Sequence, residues 1–137
     1  MSPVPAFNFQ SFNMDDLALV SKAREGLDAH LITTFREHAQ FSKEVMAGLL
    51  HLTPKTIDNM KAGHKKVKAT QAEILLSLIR LFSRGEQLFG SVEEFKDWLG
   101  FPQPALEMQP PNKFLFSVTG IRLVEECLER IEQGYAA

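Results

Sequence analysis

The sequence holds one cysteine, one tryptophan and one tyrosine in 137 residues. A lone Cys127 rules out an internal disulfide, so the fold rests on packing, and the redox compartment is barely constrained. No apolar run approaches the ~18–20 residues that a membrane span requires. The N-terminal stretch MSPVPAFNFQSF has neither the basic start nor the continuous apolar segment of a signal peptide. A cytoplasmic protein that does not engage a membrane is expected. Four scattered histidines, His30, His38, His51 and His64, show no metal-ligand spacing, and neither metal nor cofactor is expected. Also missing are a nucleophile–base pair, a phosphate-cradling glycine loop and convergent carboxylates at a recognisable spacing, so no enzyme is expected. No repeat is visible, and no stretch alternates apolar and polar residues as a half-buried strand would.

What is present is helical periodicity, ordinary composition and an uneven distribution of charge. Apolar residues make up 45% and charged residues 23%, as in a folded globular chain. The net charge is −2, which argues against a general polyanion binder. Residues 1–70 carry nine Lys or Arg against seven Asp or Glu, whereas residues 71–137 carry six against ten. Between residues 43 and 68 only Glu44 and Asp58 oppose Lys43, Lys55, Lys61, Lys65, Lys66 and Lys68. Such asymmetry points to two surfaces with different partners.

The chain divides into an arm (1–13), a first helical unit (14–68) and a second (69–137). The arm has two prolines and three spaced phenylalanines without helical period. Eight helical segments are expected, one of them marginal near Phe114, giving an all-α protein. They are MDDLALVSKAREGL; AHLITTFREHAQ, capped by Asp28; KEVMAGLL, capped by Ser42; the segment capped by Thr53 with Pro54 at its first position; TQAEILLSLIRLF; VEEFKDWLG; the marginal one; and GIRLVEECLERIEQ, capped by Thr119. Thr70–Glu73 and Ser91–Glu94 have capping-box spacing. FPQPALEMQPP, with four of the seven prolines, reads as irregular chain.

The pair KEVMAGLLHLTPKTIDNMKAG has the spacing of a helix-turn-helix, whose second helix reads base edges in the major groove. With Ile57 and Met60 turned inward, Lys55, Thr56, Asp58, Asn59 and Lys61 are left outside. Asn59 suits adenine, and lysine suits guanine or phosphate. Lys43, Lys65, Lys66 and Lys68 would grip the backbone, giving affinity and salt dependence rather than sequence choice. The alternative is a plain helical bundle with solvated lysines. No arginine lies on the reading helix, and Asp58 would repel phosphate.

The second unit supplies a resemblance. Phe89-Gly90, Trp98-Leu99, Pro102, Pro104-Ala105-Leu106, Gly120, Val124 with Leu128, and Arg130-Ile131 ahead of Gly134 resemble, in order and spacing, the C-terminal toxin-binding domain of the Xre/MbcA/ParS antitoxins. Residues 26–68, with LTPKTI at the turn, resemble their Xre-type N-terminal part. The resemblance implies an antitoxin of a bacterial type II toxin–antitoxin pair. Its toxin would be of RES type, attacking NAD or transferring ADP-ribose. The antitoxin would obstruct the toxin's active-site entrance with its C-terminal region and bind operator DNA through its N-terminal half. It would act as a homodimer within a hetero-oligomer. Many relatives carry paired arginines where this chain has Asn59-Met60, and PPNKFLFSVTG is more aromatic than the usual segment. A free-standing helix-turn-helix regulator is the rival reading.

Toxin contacts implied by this resemblance are Phe114, Phe116, Arg122, Glu126, Glu129, Arg130, Gln133, Gly134, Tyr135, Ala136 and Ala137. Trp98 and Cys127 are expected in the core, the latter as a small buried hydrophobe. Pro102 and Pro104 are expected to fix a turn. Phe114 and Phe116 are open between core and partner surface. The acids Glu125, Glu126, Glu129 and Glu132 face either a basic toxin surface or solvent. Tyr135 is either part of a frayed end or a plug for a pocket.

Overall fold

The computed structural model describes residues 13–134. The expected arm therefore lies almost wholly outside the described residues, as do Tyr135, Ala136 and Ala137.

Among the described residues seven α-helices follow in order: α1 (Asp16–Glu25), α2 (His30–Ala39), α3 (Lys43–Leu49), α4 (Pro54–Ala62), α5 (Ala69–Phe89), α6 (Val92–Leu99) and α7 (Val118–Glu132). Two strands of two residues each, β1 (Leu27–Asp28) and β2 (Lys66–Val67), pair antiparallel with Leu27 opposite Val67. The protein is all-α, as expected. The marginal segment is a 3-10 turn, Pro111–Phe114, and a second one, Pro104–Leu106, lies inside the proline-rich loop.

Most helix starts follow from side-chain caps. The side chains of Asp15, Ser42, Thr53 and Ser91 accept from the amides of Ala18, Val45, Thr56 and Glu94 at 2.8–3.1 Å. Each thereby satisfies an amide that the first turn leaves without an intrahelical partner. Three expected caps need correction. Asp28 accepts from the His30 amide at 2.8 Å but sits two residues before the start of α2, whose N-cap position is Ala29. Thr70 does not cap α5, which starts at Ala69 after an uncapped Lys68, because β2 hands the chain straight into the helix. Ser117, not Thr119, caps α7, its hydroxyl accepting from the Gly120 amide at 3.0 Å. The β1–β2 ladder also runs against the expectation of no strand; two residues are too few for an alternating pattern to show.

α5 is the axis. Its 21 residues, about 30 Å long at 1.5 Å per residue, are buried on nearly every face, and α1, α6 and α7 pack around it. Leu19 and Ala23 seat α1, while Ile121, Val124 and Leu128 seat α7. Phe82 joins the two ends of the core: its ring lies edge-on to Phe35 of α2 at 5.3 Å and to Phe95 of α6 at 5.0 Å. Burying one such ring stabilises the fold by about 2–3 kcal/mol. Gly85 is required here, because a Cβ would collide with the Phe95 ring. Trp98 stacks on Phe89 at 5.4 Å and packs against the core, and Cys127 is buried, both as expected.

Candidate functional site

The helix pair α3–α4 stands at one side of the core, held through Met46, Ala47, Leu49, Leu50 and Ile57. Burying these residues fixes the outward face. Lys55, Thr56, Asp58 and Asn59 are exposed on α4, Met60 is half-buried, and Lys43 is exposed at the start of α3. Lys65, Lys66 and Lys68 are exposed beyond it. Among the described residues the ammonium groups of Lys43, Lys55, Lys65, Lys66 and Lys68 have neither an ion-pair nor a hydrogen-bond partner. Lys61 differs: it is half-buried, and its Nζ donates to Thr33 Oγ1 at 2.9 Å, tying α4 to α2.

The acidic half is arranged in the opposite way. Glu125 of α7 is buried, only 7% exposed, between two guanidinium groups of α5. Arg80 Nη2 donates to Glu125 Oε1 at 3.1 Å, and Arg84 Nη1 to Glu125 Oε2 at 3.2 Å. Arg84 also lies 3.6 Å from Glu129 and 3.3 Å from Glu132, so one side chain spans about two turns of α7. Arg80 Nη1 reaches back to α1, donating to Asp16 Oδ1 at 3.0 Å and to the Met14 carbonyl at 3.1 Å. Arg122 closes the set on Asp16 Oδ2 at 3.0 Å. The hydrogen bond from Arg122, then that from Arg80, holds the Asp16 carboxyl below the usual carboxylate range. Three helices are thus laced together by charge across α5.

This geometry sorts the expected partner residues. Arg122, Glu126, Glu129, Arg130 and Gln133 share the outward face of α7, and Gly134 ends it at φ +85°. Arg122 and Glu129 are engaged within the chain, whereas Glu126 and Arg130 have no ion pair among the described residues. Phe114 is half-buried against the core, and its carbonyl lies so close to Gly120 that a Cβ there would collide with it. Phe116 is on the surface, 42% exposed, beside Gly48 of α3, and its carbonyl lies 2.7 Å from His51 Nε2. That contact joins the α3–α4 turn to the segment leading into α7.

The sequence reading did not find Arg80, Arg84 or Asp16. A signal was present: Arg80 and Arg84 are four residues apart on one helix, and Glu125, Glu129 and Glu132 recur at i, i+4 and i+7 on another, the spacing of two matching helix faces. Elsewhere, His38 Nε2 lies 2.8 Å from Glu86 Oε1 between α2 and α5, and burial pushes the Glu86 carboxyl up against the opposing pull of that hydrogen bond. Burial also pushes the Cys127 thiol up, which suits a packing role. Among the described residues no group of three or more His, Cys, Asp or Glu is placed to hold a metal ion, and no helix is long and apolar enough to cross a membrane.

No curated protein matches the chain. A family model does: residues 84–134 match the antitoxin Xre/MbcA/ParS C-terminal toxin-binding domain. The match begins at Arg84 and ends at Gly134, taking in the end of α5, α6, the proline-rich loop and α7. It therefore contains Arg84, Glu125, Glu129 and Glu132 together with the whole outward face of α7. Over residues 84–134 the chain thus carries the likeness of the toxin-binding domain of the Xre/MbcA/ParS antitoxins.

Proposed function

We propose that the chain neutralises a RES-type, NAD-consuming toxin by binding it directly and obstructing its active-site entrance, without performing catalysis itself. The match of residues 84–134 to a toxin-binding domain carries this reading. The outward face of α7 and its end at Gln133-Gly134 support it, since both are exposed. In this reading residues 133–137 enter or cover the mouth of the toxin's active site. Tyr135 supplies a flat ring with a polar tip, a side chain that binds pockets at low entropic cost. The complex is a cytoplasmic hetero-oligomer containing an antitoxin homodimer.

Operator binding is the second part of the proposal. The α3–turn–α4 pair, with Lys55, Thr56 and Asn59 outward at the start of α4, fits the docking of a reading helix in the major groove. The unpartnered lysines beside it supply the phosphate contacts. With Asn59-Met60 in place of paired arginines, lysine carries more of the affinity.

The test is a chain ending at Glu132, titrated against the toxin's NAD consumption beside the full-length chain. Expected is retained folding and a loss of inhibition of at least about tenfold, the loss of roughly 1.4 kcal/mol of binding. Full neutralisation by the shortened chain sinks the plug.

A further inference from the structure

The β1–β2 ladder does something that the linear sequence conceals. Its register sets Leu27 opposite Val67 and Asp28 opposite Lys66, so the end of α1 runs beside Lys68. Gly26, at φ +93°, is the point of closest approach: a Cβ built there would lie 3.1 Å from Lys66 Cβ and 3.2 Å from Lys68 Cγ. Arg24 shares a shallow cleft with Ala69 and Thr70, the two residues after Lys68. Lys22 lies one turn before Gly26 on the same helix.

Both Lys22 and Arg24 are exposed, and among the described residues neither has a hydrogen-bond or ion-pair partner. The carboxylates nearby are Glu25, Glu73 and Asp28. Asp28 is already engaged by His30, whose Nδ1 lies 3.1 Å from Oδ1. A strip of unpartnered cations therefore continues from the end of α4 through Lys65, Lys66 and Lys68 to Arg24, while Lys22, two residues away on the helix, faces the other side of α1.

We infer that this strip is a single phosphate-binding track for duplex DNA, with Arg24 as a backbone contact at its far end. The inference rests on the operator reading and extends its footprint beyond the helix-turn-helix. Arg24 supplies the planar fork that suits phosphate oxygens and that α4 lacks. Contacts of this kind give affinity for any sequence and release counterions in proportion to their number.

The experiment is fluorescence anisotropy of the full-length chain on a duplex from immediately upstream of its own gene, and on a shuffled duplex, across a salt series. For Arg24→Gln, the slope of log K against log salt is expected to fall in magnitude by about 0.9, for the one phosphate no longer neutralised. Both duplexes lose affinity equally, and the melting temperature is unchanged. Asn59→Ala is expected to lose affinity on the native duplex only. Lys113→Gln removes an exposed, unpartnered cation of the other half and controls for net charge; its slope stays at the wild-type value. An unchanged slope for Arg24→Gln overturns the inference, as does an equal fall for Lys113→Gln. So does a lowered melting temperature without a DNA effect, which would mean that Arg24 serves only the dipole of α1. A wild-type chain that binds neither duplex overturns the operator reading itself, and this inference with it.

Discussion

The two halves of the chain use charge in opposite ways. Around α4 and β2 the lysines other than Lys61 stand in solvent without partners among the described residues, while around α7 most of the carboxylates are gathered by Arg80, Arg84 and Arg122. Sequence counts alone describe a basic half and an acidic half, which suggests two complementary faces. The structure shows that much of the acidity is spent inside the chain. Charge left without a partner is available to another molecule, whereas charge paired under partial burial sets architecture, because leaving one member alone is costly. On the proposed reading, the surface of α7 open to a partner is what the ladder leaves outside, including the exposed Leu123, Glu126 and Arg130.

The sharpest way to break this comparison is Arg80→Met. It leaves buried Glu125 with Arg84 alone and frees the Met14 carbonyl, and a loss of about 3 kcal/mol is expected in urea unfolding. Adding Glu125→Leu should recover most of that loss, since the uncompensated charge is then gone. If Arg80→Met alone is neutral, the acidic half is no more architectural than the basic one. Next comes Gly120→Ala, where a Cβ collides with the Phe114 carbonyl and the 3-10 turn must shift. About 2 kcal/mol is expected.

Asp16–Arg122 is the exposed end of the same network, and Arg122→Gln should cost only about 0.5 kcal/mol, as surface pairs do. The sign with pH is set by Asp16, whose folded-state value is depressed. Its contribution is present at neutral pH, above the ordinary 3.8, and is lost as pH falls through the depressed value. A wild-type minus Arg122→Gln difference that closes on acidification checks this. Smallest of all is the effect of Lys43→Gln with Lys55→Gln on stability, expected within about 0.5 kcal/mol. A larger loss would show that these lysines hold structure and would erase the contrast.

Much of the fold was legible because local rules and tertiary packing agree. Ser42, Thr53 and Ser91 cap as their spacing implies, and the stripes of α5 and α7 face the core. What was not legible depends on pairs distant in sequence. The ladder of Leu27 with Val67 is too short to leave a pattern, yet it places α1 beside Lys68. Ser117 outcompeted Thr119 because the preceding 3-10 turn delivers the chain in extended form at Ser117, at φ −152° and ψ 158°. Among the candidate site residues, exposure followed from helical phase, as at Lys55, Asn59, Glu126 and Arg130. Engagement did not: Lys61 and Glu129 are held by Thr33 and Arg84, residues on other helices.

The most direct test of the central claim is whether the full-length chain forms a stable complex with the protein encoded beside its gene and silences it. Both are mixed at known concentrations, resolved by size with light scattering, and assayed for NAD consumption. A discrete complex whose activity falls to background at a fixed stoichiometry is the expected result. Two separate species, with the neighbour fully active at an excess of this chain, would contradict the account and favour the reading of a regulator without a toxin.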